Sequence, residues 1–511
     1  MKITRRSACL LIAGTIAGAA GTALPFSAYA QSGKQVIVAA DEIPKQLDPL
    51  RSQLFAGYRV MINLYDTLIA VDYKDNGKLV PGLATSWKRI DDKTLELTLR
   101  QGVKFHDGST MTAEDVVFSL SQARINTKGT PGYGTAQQFL STIADAVIVN
   151  PTTVRVMSTV SDPTLEMRVS AWGSQIISKK AFDAAGGWDG FALKPVGTGP
   201  FRLANLSPEE NRLVAFADYW GGKPNIDTLI FRSVPELSSR IAGVISGDFD
   251  IAVDVPPDQF APIKNAKMEI VGGTIPSMRN VKFDTRNPVL ADKRVRQALA
   301  MAVDREAIVK SLWAGMVDVP NGHQLKSYGA LYDPTHPKWE YNPTKAKQLL
   351  AAAGYKGETI PYRIRNNAYG SEVSTAQILV SMWEAIGVKI DLQMKENFGQ
   401  LLEFPGTGMR NGADPILVND PLFGFWRSYN ESERLVWSNE DFYKAGRILE
   451  SSMDLQTRKA ALKTMMTIFD DDPPAIILHT FGFFYGMNPK VKWTAYPHPY
   501  MDFRKENADK L

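Results

Sequence analysis

PGLATSWKRIDDKTLELTLRQGVKFHDGSTMTAEDVVFSL, residues 81–120, is the stretch whose reading decides the fold. It runs from a turn into a strand over residues 94–100, where Leu95, Leu97 and Leu99 alternate with polar residues. A tight turn at His106-Asp107-Gly108 follows. A helix comes next, with Thr112 as its cap and Asp115 three residues on, the spacing of a capping box. Neither residue type nor spacing in this block suggests catalysis.

Outward from the block, strands and helices alternate along the chain, as expected of α/β lobes. The patterning predicts strands at 36–39, 153–158, 211–216, 228–232, 250–253, 280–284, 388–393 and 416–418. It predicts helices at 237–246, 293–312, 344–353, 372–386, 441–451 and 457–469. In 293–312, Val295, Leu299, Met301, Ala302, Ile308 and Leu312 recur at helical spacing. No repeat of 20–50 residues is visible. Breaks at 272–284 and at Asp470-Asp471-Asp472-Pro473-Pro474 would suit two lobes joined by two crossing strands.

With 511 residues the chain exceeds one hydrophobic core and should divide into two or three lobes. Its apolar content of 44% allows each a sizeable core. Lys2, Arg5 and Arg6, then an apolar run and Ala28-Tyr29-Ala30, read as a signal peptide over residues 1–30. Thr4-Arg5-Arg6-Ser7 resembles a twin-arginine signal but lacks the usual aromatic residue after it, so the twin-arginine and general secretory routes both stay open. Removing the leader takes the net charge from +4 to +1, too little to attract nucleic acid or an anionic surface. It also removes Cys9, the one cysteine, so an exported chain must be held by packing without disulfides. These features point to the periplasm.

The block at 81–120 closely resembles the signature region of the extracellular solute-binding proteins of the peptide, opine and nickel class, family 5. Further landmarks follow in the family's order: Tyr65-Asp66-Thr67-Leu68, residues 195–201 (PVGTGPF), 218–224 (DYWGGKP), Lys282-Phe283-Asp284-Thr285, 292–304 (DKRVRQALAMAVD) and 341–355. The resemblance covers essentially residues 35–505. It implies an α/β, bilobal periplasmic binding protein fold with a hinge. Lobe I would be 31–276 plus 480–511, with an inserted subdomain near 75–185, and lobe II would be 277–479. The implied function is capture of a small polar organic ligand between the lobes and its delivery to an ABC importer permease in the inner membrane. A short peptide is the first expectation; an opine, a sugar-containing or an amino-acid-derived compound is the alternative. A monomer without cofactor is expected.

Enzyme chemistry finds little support. Gly197-Thr198-Gly199-Pro200 could be misread as a phosphate loop, but Pro200 removes an amide and the run leads into a strand. His106, His323, His336, His479 and His498 are scattered without metal-ligand spacing. No serine sits in a G-x-S-x-G context. A secreted hydrolase is the alternative of another class, and the expectation is that the chain is not an enzyme.

The resemblance also suggests binding residues. An acidic residue that pairs a peptide's amino terminus in relatives would fall at Asp420, although the family's neighbouring tryptophan is missing. An arginine for a ligand carboxylate would be Arg365 or Arg363, just before Asn366-Asn367-Ala368-Tyr369. Aromatic residues near predicted strand ends complete the set: Phe55, Tyr58, Trp172, Phe423, Phe425 and Trp426. Arg279 and Asn280 fall at the expected hinge.

Overall fold

The computed structural model describes residues 33–52, 54–365, 369–402, 408–431 and 437–511, with backbone only for Phe398. The leader assigned to residues 1–30 and Asn366-Asn367-Ala368 lie outside the described residues. Lys34–Leu511 forms one compact unit.

Ten strands form one sheet in the order Lys389–Lys395, Thr359–Arg365, Met409–Pro415, Glu269–Phe283, Ala475–Met487, Ile251–Ala252, Gln35–Ala40, Thr228–Ser233, Glu210–Ala215 and Phe201–Leu206. Two long antiparallel strands stand at its centre, Glu269–Phe283 and Ala475–Met487. Their ladder pairs Glu269–Ile275 with Phe481–Met487, shifts register between Ile275 and Met278, and resumes with Met278 opposite Thr480. Such irregularities bend and twist a ladder locally. The two strands expected to cross between lobes are thus neighbours in one sheet.

The block at 81–120 forms as its pattern dictates. Thr94–Leu99 is a strand with Leu95, Leu97 and Leu99 buried. It sits inside a separate four-stranded sheet ordered Ala84–Asp91, Thr94–Leu99, Thr153–Ser158, Ile143–Asn150. Thr112 and Asp115 complete the capping box of the helix Ala113–Ser119, the Thr112 amide donating to Asp115 Oδ2 at 2.9 Å. His106 at the turn holds the 195–201 landmark. Its Nε2 lies 3.0 Å from the Gly199 carbonyl, and the Gly197 amide donates to its Nδ1 at 3.3 Å. A Cβ on Gly197 or Gly199 would collide with the Leu64 backbone at 2.1 and 2.4 Å, so close approach to the 65–68 landmark explains both glycines.

Several expectations need correction. The helix read over 293–312 is two helices, Lys293–Met301 and Arg305–Trp313. Asp304 ends the first run by capping the second, accepting from the Ala307 amide at 2.9 Å. The strand read at 416–418 lies earlier, at Met409–Pro415, because pairing with Ser277–Phe283 ends at Pro415. The acids Asp470, Asp471 and Asp472 at the second break each have a side-chain partner. Asp470 accepts from Trp339 Nε1 and contacts His336, Asp471 pairs with Lys293, and Asp472 pairs with Arg296.

The largest core draws on residues from Val36 to Ala508. A second core, with Leu299, Trp383 and Ile476, is drawn wholly from residues 281–478. A third surrounds Val244, Ile263, Trp313 and Phe484. Among the described residues no helix is long and apolar enough to cross a membrane.

Candidate functional site

One cavity of about 1750 Å³ opens beside the central strands. Phe481 and Phe483, alternating on Ala475–Met487, line its floor. Phe55, at the start of the helix Phe55–Met61, meets Phe483 edge-on at 4.8 Å between ring centres. Tyr58, one turn along that helix, reaches the same cavity.

Around this helix sits a compact group of four charges. Arg59 is buried and donates to Asp254 at 2.5 Å, with Asp41 at 3.8 Å. Arg240, also buried, donates to the Val234 and Pro235 carbonyls at 2.8 Å. Burial and the nearby Asp254 carboxylate raise the Asp41 carboxyl, and Arg59 and Arg240 offset this only in part. An additional cation beside Asp41 would therefore be welcomed electrostatically.

Another part of the lining comes from Met409–Pro415, the end of Glu269–Phe283 and the helix Phe425–Tyr429. Three cations stand on it, Lys282, Arg410 and Arg427. Asp414 has no exposure, and its oxygens meet Lys282 at 2.8 Å, His323 at 2.9 Å and the Tyr429 hydroxyl at 2.8 Å. Burial pushes the Asp414 carboxyl up, but Lys282 and His323 outweigh it and hold it well below the usual carboxylate range. Among the described residues Arg427 donates to neutral groups, Gln138 at 2.9 Å and the Pro415 carbonyl at 2.6 Å. Among the described residues the Arg410 guanidinium forms no ion pair, and burial lowers its proton affinity. Two partly desolvated guanidinium groups without carboxylate partners make this wall receptive to an anion.

Glu372 also lines the cavity but is fully engaged. Its oxygens accept from the backbone amides of Arg365 and Tyr369 and from the Asn411 side chain, each at 3.1 Å. This arrangement fixes the end of Thr359–Arg365 and presents Arg365 to the cavity. Arg363 donates to the Gln400 carbonyl and does not line it. Behind Tyr369 the central-strand residue Arg279 stacks at 4.0 Å from the ring centre and donates to the Gly412 carbonyl at 2.8 Å. Asn280 beside it is fully buried.

The structure brings Phe55, Tyr58, Arg365 and Trp426 together on the cavity wall. Trp172, Asp420 and Phe423 stand behind it. Trp172 is buried edge-on against Tyr58 at 4.4 Å and donates to the Ser52 carbonyl at 2.9 Å. Phe423 is buried under the Arg168 guanidinium. Asp420 is held by Arg458 through both carboxylate oxygens and caps the turn Pro421–Phe423. Buried, paired and off the cavity wall, it is not placed to receive a ligand ammonium. Sequence reasoning missed Asp41, Arg59, Asp254, Lys282, Arg410 and Arg427. Asp41 and Asp254 stand in bends just past short strands, Arg59 and Arg427 in helices, and Lys282 and Arg410 in strands, and no local sequence pattern marks any of them as a site residue. Among the described residues no group of three or more His, Cys, Asp or Glu side chains could hold a metal.

Residues 78–433 match the profile described as bacterial extracellular solute-binding proteins, family 5 Middle. The chain is 27% identical over 471 residues to the dipeptide-binding protein of Escherichia coli K12, covering 84% of this chain and 86% of that protein. It is 29% identical over 409 residues to the glutathione-binding protein GsiB of Salmonella typhimurium, covering 77% and 76%. Its fold matches that of the periplasmic binding protein DppA from Helicobacter pylori in complex with peptide STSA, at a TM-score of 0.83 and 20% identity, over 94% and 99% of the two chains. NikZ from Campylobacter jejuni in complex with Ni(L-His) matches at 0.82 and 23% identity, over 93% and 99%.

Proposed function

The chain belongs to the bacterial extracellular solute-binding proteins, family 5, and from that membership we propose that it is the periplasmic receptor of an ABC importer. In this reading residues 31–276 with 480–511 form lobe I, residues 277–479 form lobe II, and the central strand pair is the hinge. The receptor acts as a monomer, captures its solute in the large cavity, and presents the closed form to a membrane permease. It binds without turnover. Export by the twin-arginine or the general secretory route fits the leader.

One observation carries the ligand assignment: the cavity lining offers a crowded carboxylate at Asp41 and, elsewhere, the guanidinium groups of Arg410 and Arg427, which form no ion pair among the described residues. Arg410, flanked by Lys282 and Arg427, receives a carboxylate. Asp41, crowded by Asp254, receives an ammonium. A zwitterionic, peptide-like solute satisfies both ends, while Phe55, Tyr58, Trp426 and Phe481 supply apolar contact area. The names of the relatives, dipeptide-binding and glutathione-binding, support this class. A second reading, an opine or another amino-acid-derived compound with more than one carboxylate, is favoured by the wall itself. Lys282, Arg410 and Arg427 stand together there, the nearby Asp414 is buried behind them, and Asp420 is committed to Arg458. Peptide relatives' use of an acid near Asp420 therefore does not transfer simply.

Mass spectrometry of small molecules released by denaturing protein purified from its native periplasm tests both readings. A zwitterionic peptide-like compound, or a polycarboxylated amino-acid derivative, is the expected cargo. Calorimetry with the released compound should show saturable binding. Complete indifference to peptides, opines, sugars and metals would remove the transport reading.

A further inference from the structure

Glu450 lines the large cavity together with Trp426, and neither end of a zwitterionic solute uses it. The Trp426 ring rests on Gly446, where a Cβ would collide with it. Glu450 stands one turn further along the same helix, Glu440–Ser451. Its side chain keeps 22% of its exposure, so a solute in the cavity can reach it.

The charges around this carboxylate do not balance. Arg168, buried behind it, is shared by two acids, Asp162 and Glu450. The Arg168 Nε–H donates to Asp162 at 2.6 Å, and Nη1 donates to the Phe139 carbonyl at 3.1 Å. Nη2 reaches Glu450 at 3.5 Å, the outer limit of a hydrogen bond. Asp162 has no exposure and accepts further from the Thr142 hydroxyl and from the Thr164 amide at 2.7 Å.

The two acids respond in opposite directions. Burial pushes the Asp162 carboxyl up, but Arg168 and the threonine donors outweigh it and hold it below the usual carboxylate range. Burial raises Glu450 as well, and there Arg168 and the Trp426 indole offset it only in part. Arg447, one turn earlier on the helix, is taken by Glu431 at the rim. Among the described residues one guanidinium thus serves two carboxylates. The acid that faces the cavity carries the surplus negative charge.

We propose that Glu450 is a subsite for a cationic group on the solute's side chain, an ammonium or a guanidinium. This rests on the reading of the large cavity as the solute site, in which Asp41 and Arg410 take the solute's amino and carboxylate ends. It narrows the cargo to a short peptide with a basic residue or a basic amino-acid derivative. Arg168 does not oppose such a group, because Asp162 already balances its charge. The corner is partly desolvated, so the attraction is screened less than it would be in open water.

Calorimetry on the exported protein with two matched pairs of probes tests the subsite. One pair is alanyl-lysine and alanyl-norleucine, and the other is the Nα-carboxyethyl derivatives of lysine and norleucine. Within each pair the probes differ chiefly by one ammonium. In the unaltered protein the lysine member should bind about tenfold more tightly in at least one pair. Glu450→Gln keeps the side chain's size and leaves Arg168 its Asp162. It should erase that preference while holding the affinity for the norleucine member within about twofold. Equal affinities within both pairs in the unaltered protein would overturn the subsite and leave the zwitterion reading standing. A full preference in Glu450→Gln would do the same. Absence of binding by all four probes would overturn that reading and the subsite with it. If Glu450→Gln fails to fold by circular dichroism, Glu450→Asp, which keeps the charge but withdraws it by one methylene, takes its place. That variant should show a reduced preference, and an undiminished one would overturn the subsite.

Discussion

Arg458 holds Asp420 through one nitrogen, Nη2, shared between both carboxylate oxygens at 2.9 Å each. The two residues are 38 positions apart, both are buried, and the Arg458 Nε–H donates to the Leu449 carbonyl at 3.0 Å. Removing one partner of such a pair strands a buried charge, which typically costs about 3–5 kcal/mol. Arg458→Met should therefore lower unfolding free energy by several kcal/mol in urea titration. Asp420→Asn, which retains acceptor capacity, should cost less. Where either variant remains folded, its affinity for the solute should match the parent protein, because Asp420 lies off the cavity wall. A large loss of affinity in folded Asp420→Asn would refute that placement.

Arg410 makes the opposite prediction. It lines the cavity, forms no ion pair among the described residues, and is held there at a desolvation cost. Arg410→Met should leave stability unchanged or slightly raised. Loss of a charge-assisted contact to a ligand carboxylate should weaken solute binding by about 2–3 kcal/mol, or roughly 30- to 150-fold. Calorimetry with the solute recovered from native protein measures it. Undiminished affinity would exclude Arg410 as the anion contact.

Asp41 separates the ligand's two ends. Asp41→Asn removes the repulsion with Asp254 while leaving Arg59 its shorter bond at 2.5 Å. Thermal stability should hold or rise. Affinity for a solute carrying a free amino group should fall about tenfold, while its N-acetylated form should be nearly insensitive to the change. Equal sensitivity of the two forms would mean that the amino end lies elsewhere.

The contrast among these three residues shows what could be read before the structure. The block at 81–120 was legible because its signals are local: alternating leucines, a glycine turn and a cap three residues from its partner. Asp304 is instructive in the same way, since a cap signal within the 293–312 run was present but the apolar periodicity on either side masked it. The site was less legible because its chemistry depends on pairs distant in sequence. Asp420 looks available until Arg458 is found beside it, and Asp414 looks ordinary until Lys282, His323 and Tyr429 converge on it. Arg410 sits in a strand where an isolated arginine would normally be taken as a solvated surface residue. Aromatic candidates divided for a similar reason. Phe55 and Tyr58 share one helix face toward the cavity, whereas Trp172 fills the layer behind Tyr58.

Three histidines set the acid limit of the fold, one of them His106 at the landmark turn, whose pKa burial lowers from 6.5 to about 4. His479 and His498 are almost unexposed, and burial lowers their pKa values from 6.5 to about 4 and about 3. Between these values and 6.5 the unfolded chain binds protons that the native protein excludes. Their contribution to stability is therefore complete above pH 6.5 and is lost as pH falls through that window. At about 1.4 kcal/mol per pKa unit, each would remove on the order of 3 kcal/mol by pH 4. Urea titrations at pH 7, 5.5 and 4 should show this decline, since carboxylates such as Asp414 keep their charge down to far lower pH. The decline should be shallower in His479→Gln, whose amide can keep the hydrogen bond that His479 Nδ1 makes to the Thr480 carbonyl at 2.7 Å without taking up a proton. A variant with the parent's full pH slope would show that other groups govern acid unfolding. A flattened slope would instead place the titration on the crossing strand itself, because His479 pairs with Arg279 across the two central strands. Its protonation would then set a second cation beside Arg279, and acid would first loosen the strand pair on which the proposed hinge depends.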